Sequence, residues 1–143
     1  MGDVTAALAA SEQSLAMRER IVRQNPGEAR AQERLGYVLR AIALLRRKAG
    51  DRANALRDYQ RARTIYTELR ARGYGGAYAG SELGSTELEL GDLESEDGHA
   101  EEACRWYRQS AAVFEALAAR GALRSDSHGE AEKARRAAAA CRR

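Results

Sequence analysis

The sequence has little of what sheets, membrane anchors and metal sites require. It contains one proline, one tryptophan, one phenylalanine and two cysteines among 143 residues. No apolar run approaches the ~20 residues that cross a bilayer, and no basic flank with an apolar core marks a signal peptide. Cys104 and Cys141 form neither a metal-binding spacing nor a disulfide framework, so we expect Cys104 to be a buried, inert thiol. Cytoplasmic location is the resulting default.

Abundant alanine and 31% charged residues favour long solvated helices over sheet. The length suits one domain with a real core, so we predict a single all-α domain over residues 1–143. Charge is distributed in blocks. Residues 15–72 carry 15 Lys/Arg against six acids, residues 73–103 carry nine acids and no Lys or Arg, and residues 104–143 return to nine basic against four acidic. This alternation indicates complementary packing or a polarised protein-binding surface rather than a uniformly basic nucleic-acid surface.

A repeat organises the chain. The stretch Gly50–Gly73 aligns without a gap to Gly98–Gly121, 48 residues later, and eight of the 24 aligned positions are identical. Unrelated helices of this composition share only about two. A fixed period of this size is typical of a repeat array, in which each unit buries its apolar face on the next. We therefore expect a half repeat in 1–25, full repeats in 26–73 and 74–121, and a C-terminal capping helix in 122–143.

The periodicity and its turn signals predict six helices. Their approximate ranges are 3–24, 28–49, 51–72, 77–96, 100–120 and 128–141. We expect Tyr59 and Tyr107 at helix contacts, and we expect the fourth helix, whose apolar stripe is thin, to be the least stable. Ser127 and Glu130 have the spacing of a capping box at the start of the sixth helix.

The spacing within these helices resembles that of the tetratricopeptide (TPR) family. The resemblance lies in the second-helix positions and in the leucine–glycine pair with its inter-helix glycine, namely Ala55, Tyr59, Ala62, Ala103, Tyr107, Ser110, Leu90, Gly91 and Gly98. It implies a TPR-like solenoid of antiparallel helix pairs, with helices lengthened because the period of 48 exceeds the usual ~34. The residues of the repeat also resemble those in the C-terminal repeat tails of bacterial serine/threonine protein kinases. That likeness implies an interaction tail excised from a larger signalling protein.

A TPR-like array implies a non-catalytic protein- or peptide-binding scaffold whose concave face is lined by the first helix of each repeat. The residues opposite the core stripes are then exposed on that face: Tyr37, Arg40, Leu44, Arg47, Ser85, Leu88, Asp92 and Ser95. Leucines flanked by arginines suit an extended peptide with an acidic group. The alternative is a nucleic-acid-binding helical repeat, although no such motif accompanies the basic charge.

The first helix aligns with the second helix of a repeat, so its apolar stripe should lack one covering helix. The stripe comprises Leu8, Leu15, Met17, Ile21 and Val22, and we expect it to pair with the stripe of a second copy in a two-fold homodimer. The competing expectation is a monomer whose first helix frays or rotates to hide these side chains.

No catalytic, cofactor or metal site is expected. The glycine-rich loop over residues 73–80 lacks a phosphate-binding lysine and follows a helix rather than a strand, so we interpret it as an inter-repeat turn. His99 and His128 stand beside glycines at helix starts and are expected to be solvated. Trp106 either packs under the C-terminal helix or anchors a partner; the first is favoured.

Overall fold

A computed structural model describes residues 2–141, and every regular element in that range is helical. The helices are α1 (Gly2–Gln24), α2 (Ala29–Lys48), α3 (Arg52–Ala71), α4 (Gly76–Glu96), α5 (Ala100–Ala119) and α6 (His128–Ala140), with a 3-10 turn at Ser125–Ser127. The predicted all-α class and the six helices are confirmed, and each helix begins and ends within about one residue of the predicted position. Helices adjacent in sequence, such as α1 and α2 or α4 and α5, pack on one another as in a helical repeat.

The helices form two compact units, which divide between Leu69 and Arg70. The first unit contains α1, α2 and nearly all of α3. The second contains α4, α5, the 3-10 turn and α6. Within the units, α1 packs on α2, α4 packs on α5, and α5 packs on α6.

The 48-residue period appears first in the helix ends. Gly50 and Gly98 both have a left-handed backbone, with φ values of 84° and 81°. After each glycine the next amide donates back to the last turn, from Asp51 to the Arg46 carbonyl and from His99 to the Glu94 carbonyl, both at 2.9 Å. This is the Schellman arrangement, and glycine is favoured there because a side chain would be strained at positive φ. The same residue therefore ends the first helix of both repeats.

The period also appears in the packing between helices. A Cβ built on Gly36 of α2 would lie 3.1 Å from the ring of Tyr66 in α3. A Cβ built on Gly84 of α4 would lie 2.8 Å from the ring of Phe114 in α5. Both members of the second pair follow their counterparts by 48 residues. In both repeats an aromatic ring thus occupies the space that a side chain at the glycine would need.

The first unit combines an apolar core with a buried ion pair. The large buried side chains of α2 and α3 are Leu35, Leu39, Ile42, Tyr59, Tyr66 and Leu69. Arg46 donates to Asp58, whose side chain is 1% exposed, and also lies 3.4 Å from Glu12 of α1. Burial raises the pKa of the Asp58 carboxyl, and the hydrogen bond from Arg46 opposes that rise. One guanidinium therefore connects all three helices of this unit.

The α1 helix has no fully buried residue. Its packing on α2 leaves Leu8, Leu15, Ile21 and Val22 half-buried, while Met17 is 43% exposed. A second contact with α3 is polar, because Arg61 donates to Glu19 at 3.1 Å. The N-terminal stripe is thus partly covered within the chain, and the homodimer through α1 stays a prediction.

The buried face of α4 is wider than its thin apolar stripe predicts, and the expectation that α4 is the least stable helix stays a prediction. Thirteen α4 residues are buried, more than in any other helix of the described range. Gly80, Gly84 and Gly91 admit Leu117, Phe114 and Tyr107 of α5, so glycine here permits burial of large partners. The apolar side chains of α4 alone do not reveal this burial, because it comes from large side chains of α5 that pack on the glycines of α4.

The two equivalent tyrosines differ in burial. Tyr59 is fully buried, as expected. Tyr107 lies against Gly91, but part of its side chain stays exposed, and its hydroxyl donates to Asp92 at 2.8 Å. The second copy of this position therefore has a polar partner on α4.

Gly84→Ala should destabilise the fold although alanine is the better helix former. The new methyl group would overlap the buried Phe114 ring, and overpacking of this kind costs about 1–3 kcal/mol. Gly129→Ala in α6 is the matched control, because its Cβ meets nothing within 4 Å; it should be neutral or stabilise by less than about 1 kcal/mol. Urea unfolding followed by circular dichroism measures both. Equal midpoints for the two variants would contradict the glycine–aromatic contact.

Candidate functional site

The part of the predicted binding face that lies on α2 is exposed. Tyr37 is 62% exposed and Leu44 is 38% exposed, and the two residues are seven positions apart, so they lie on the same side of the helix. Arg40 and Arg47 each follow one of these residues by three positions, about one turn of the helix, and both are half-buried. We call these four residues the α2 patch. Met17 is the only other large apolar side chain that is clearly exposed within residues 2–141.

The part on α4 does not match the prediction. Ser85 and Leu88 are only 4% and 3% exposed, Asp92 is half-buried, and only Ser95 is exposed. The sequence-based expectation that this face of α4 is open to solvent is therefore wrong for Ser85 and Leu88.

Helix α6 supplies partners for the polar residues of this face. The Ser85 hydroxyl donates to the Glu130 carboxylate. The Lys133 ammonium donates to Asp92 at 2.7 Å. Glu130 and Lys133 are three residues apart and so lie one turn apart on the same side of α6. Ser85 and Asp92 thus pair with α6 instead of facing solvent, contrary to the expectation from the sequence.

The same contact corrects the predicted capping box. Ser127 precedes α6 but makes no side-chain capping bond. Its hydroxyl lies 3.4 Å from Asp126, while Glu130 bonds Ser85 instead of the start of its own helix. The spacing of a capping box is present, but the Glu130 carboxylate accepts its hydrogen bond from Ser85 of α4.

Cys104 and Cys141 form a disulfide with a Cα–Cα distance of 5.6 Å. The expectation of an unpaired, inert Cys104 thiol is therefore wrong. The bond joins the first turns of α5 to the end of α6, and Arg108 adds a hydrogen bond of 3.1 Å to the Cys141 carbonyl. The available signal was helix length: two antiparallel helices joined near residue 124 bring these positions opposite each other.

The space between α5 and α6 is incompletely filled. Two adjoining open cavities of about 370 and 200 Å³ lie there. Their shared lining is Ala111, Glu115 and Arg135. Small side chains on both helices, among them Ala111 and Ala138, leave this groove between α5 and α6.

His99 is exposed, as expected, but it is not simply solvated. Its Nδ1 lies 2.7 Å from the buried carboxylate of Glu94, which precedes it by one turn. The hydrogen bond with Glu94 raises the pKa of His99, and the charges of Glu94, Asp97 and Glu102 act in the same direction. The pair links the end of α4 to the start of α5.

The other features singled out in the sequence are the glycine-rich loop, possible metal ligands and Trp106. The segment that contains Gly73, Gly75 and Gly76 is a turn of positive-φ glycines that leads into α4. Within residues 2–141 no cluster of three or more His, Cys, Asp or Glu could hold a metal ion. Trp106 is half-buried, and its role as packing residue or partner anchor stays a prediction.

Comparisons with known proteins identify no relative. No family model, curated protein or solved structure matches the chain. No helix in the described range is both long and apolar enough to span a bilayer. The resemblance to TPR repeats therefore rests on the residues alone and stays a prediction.

The His99–Glu94 pair predicts a pH-dependent contribution to stability. Because the pKa of His99 is raised in the folded chain, its contribution is fully present below the unfolded value of about 6.5 and is lost as pH rises through the folded pKa. An NMR titration of the imidazole measures the folded value directly, with His99→Asn identifying the resonance. Glu94→Gln should lower the pKa of His99. An unchanged titration in that variant would show that Glu94 is not the cause.

Proposed function

We propose that this chain is a non-catalytic scaffold that binds a protein or peptide through the α2 patch. The observation that carries the proposal is the exposed pair Tyr37 and Leu44, each followed by an arginine one turn further along the helix. Tyrosine and arginine are among the residue types enriched at the positions that contribute most binding energy in protein interfaces. The pair spans about 10.5 Å along the helix axis, enough for several residues of an extended peptide.

The arginines define the chemistry of the partner. Arg40 and Arg47 lie on the same side of α2 as the apolar pair, and the last turn of that helix adds Lys48. A peptide with an apolar residue beside a carboxylate or phosphate complements this surface, since guanidinium groups form charge-assisted hydrogen bonds to such anions. The proposed site is smaller than the one predicted from the sequence, because Ser85 and Leu88 are buried.

The wider assignment is also a proposal. The chain has a TPR-like repeat of 48 residues that resembles the repeat tails of bacterial kinases. This resemblance supports the proposal that the chain is an interaction module of a larger signalling protein. For location we propose the cytoplasm, where disulfides are usually transient or redox-responsive. Nucleic-acid binding is the alternative function, supported by the basic block over residues 15–72. It requires affinity for generic oligonucleotides that falls steeply with salt.

Peptide display tests the scaffold proposal without a known partner. A random peptide library is selected on the immobilised chain, and recovered peptides are measured in solution by fluorescence anisotropy. Recovered sequences should combine an apolar residue with acidic ones. Tyr37→Ser with Leu44→Ser should weaken their binding at least about 10-fold, which corresponds to about 1.4 kcal/mol, and Arg40→Glu with Arg47→Glu should abolish it.

The matched control is Gln60→Ser with Thr67→Ser, an exposed pair with the same seven-residue spacing on α3. It should leave peptide affinity unchanged, and circular dichroism should show equal helicity in all variants. Peptides that bind the Tyr37/Leu44 double variant as tightly as the original chain would refute the α2 patch. Binding of oligonucleotides with a steep salt dependence would favour the alternative.

A further inference from the structure

Helix α6 is held on the second unit by few apolar contacts. Ala134 is its only buried residue. The helix has 13 residues, near the length at which an isolated helix is marginal in water. Apolar burial therefore contributes little to keeping α6 in place.

The specific attachments of α6 are polar or covalent. The disulfide and the Arg108 hydrogen bond hold its C-terminal end to α5. Along its length Glu130 accepts from Ser85, and Lys133 donates to Asp92 of α4. Polar pairs at a partly exposed interface contribute little to stability, because solvent screens them. The disulfide is the one attachment that does not open by thermal fluctuation.

The surface under α6 favours a helix with a cation. Residues 73–103 contain nine acids and no Lys or Arg, so positive charge at α4 has to come from another segment. Lys133 provides it, and the small Ala134 beside it allows close approach. The occupant seen in the structure thus shows what the surface accepts: a carboxylate for Ser85, an ammonium three residues later for Asp92, and a small residue next to it.

We propose that the α4 surface under α6 is a second binding surface, gated by the Cys104–Cys141 disulfide. Its external partner is an alanine-rich helix of another protein that carries Glu and Lys at the spacing of Glu130 and Lys133. Such a helix would replace α6 once the disulfide is open. This surface is separate from the α2 patch and does not depend on it.

The gate opens by thiol–disulfide exchange with a dithiol reductant. One thiolate of the dithiol attacks a sulfur of the Cys104–Cys141 bond, forms a mixed disulfide and releases the other cysteine as a thiolate. The second thiol then displaces the remaining cysteine. The dithiol is oxidised to its own disulfide by two electrons, and its two protons end on Cys104 and Cys141.

Hydrogen exchange of the full chain tests the gate. With dithiothreitol, amides of α6 should exchange at least about 10-fold faster than in the oxidised chain, while amides of α5 keep their rates. Cys104→Ser with Cys141→Ser should reproduce the fast exchange without reductant. Protection of α6 that is unchanged in both cases would overturn the gate.

A peptide added in trans tests the surface. The probe is a fluorescent peptide of residues 125–141 with Cys141→Ser. The receptor is the full chain with both cysteines replaced by serine and with Glu130→Lys and Lys133→Glu, which weaken docking of its own α6. The original peptide should bind at least about 10-fold more tightly than the charge-exchanged peptide. The oxidised original chain should bind neither.

Circular dichroism confirms that the receptor is folded, and Tyr37→Ser with Leu44→Ser should not change peptide binding. Equal affinity for the two peptides, or no binding to the opened receptor, would refute the second surface. Loss of binding in the Tyr37/Leu44 variant would show that the peptide occupies the α2 patch instead, which would also refute it.

Discussion

Each repeat depends on a glycine of one helix lying against an aromatic ring of the next. Gly36 faces Tyr66 and Gly84 faces Phe114, 48 residues later. The contact keeps the two helices close together, because a Cβ would lie only 3.1 Å from the ring at the first glycine and 2.8 Å at the second. The Schellman turns at Gly50 and Gly98 then reverse the chain so that this contact can form. The repeat is thus supported by the same contact and the same turn in both of its copies.

The two copies use their polar positions differently. In the first, Asp58 is buried against Arg46 and joins three helices. Its counterpart in the second is Trp106, and the counterpart of Arg46 is Glu94, which bonds His99. The apolar frame therefore repeats, while the ion pairs are individual to each unit. This division is what a repeat requires, because packing geometry recurs whereas charge can vary with the neighbouring segment.

The two proposed surfaces differ in charge, as do the segments of the sequence that contain them. The α2 patch is an exposed apolar pair beside arginines and suits an acidic partner. The α4 surface lies in the acidic part of the chain and is already occupied by α6 through Glu130 and Lys133. The two proposed surfaces thus lie in charge blocks of opposite sign, the basic block over residues 15–72 and the acidic block over residues 73–103. A disulfide at the end of α6 gives only the second surface a dependence on redox conditions.

Local patterns in the sequence determined the helices, their ends, the period and the exposed α2 patch. Capping glycines and the 3.6-residue periodicity act within one or two turns, so neighbouring residues alone suffice to predict them. Tertiary structure decided whether a polar residue is exposed and whether two cysteines meet. Ser85 and Asp92 look solvated in a helical projection, and Cys104 looks unpaired, until α6 packs across both helices. Burial and pairing depend on which distant segment covers a face, and no local spacing contains that information.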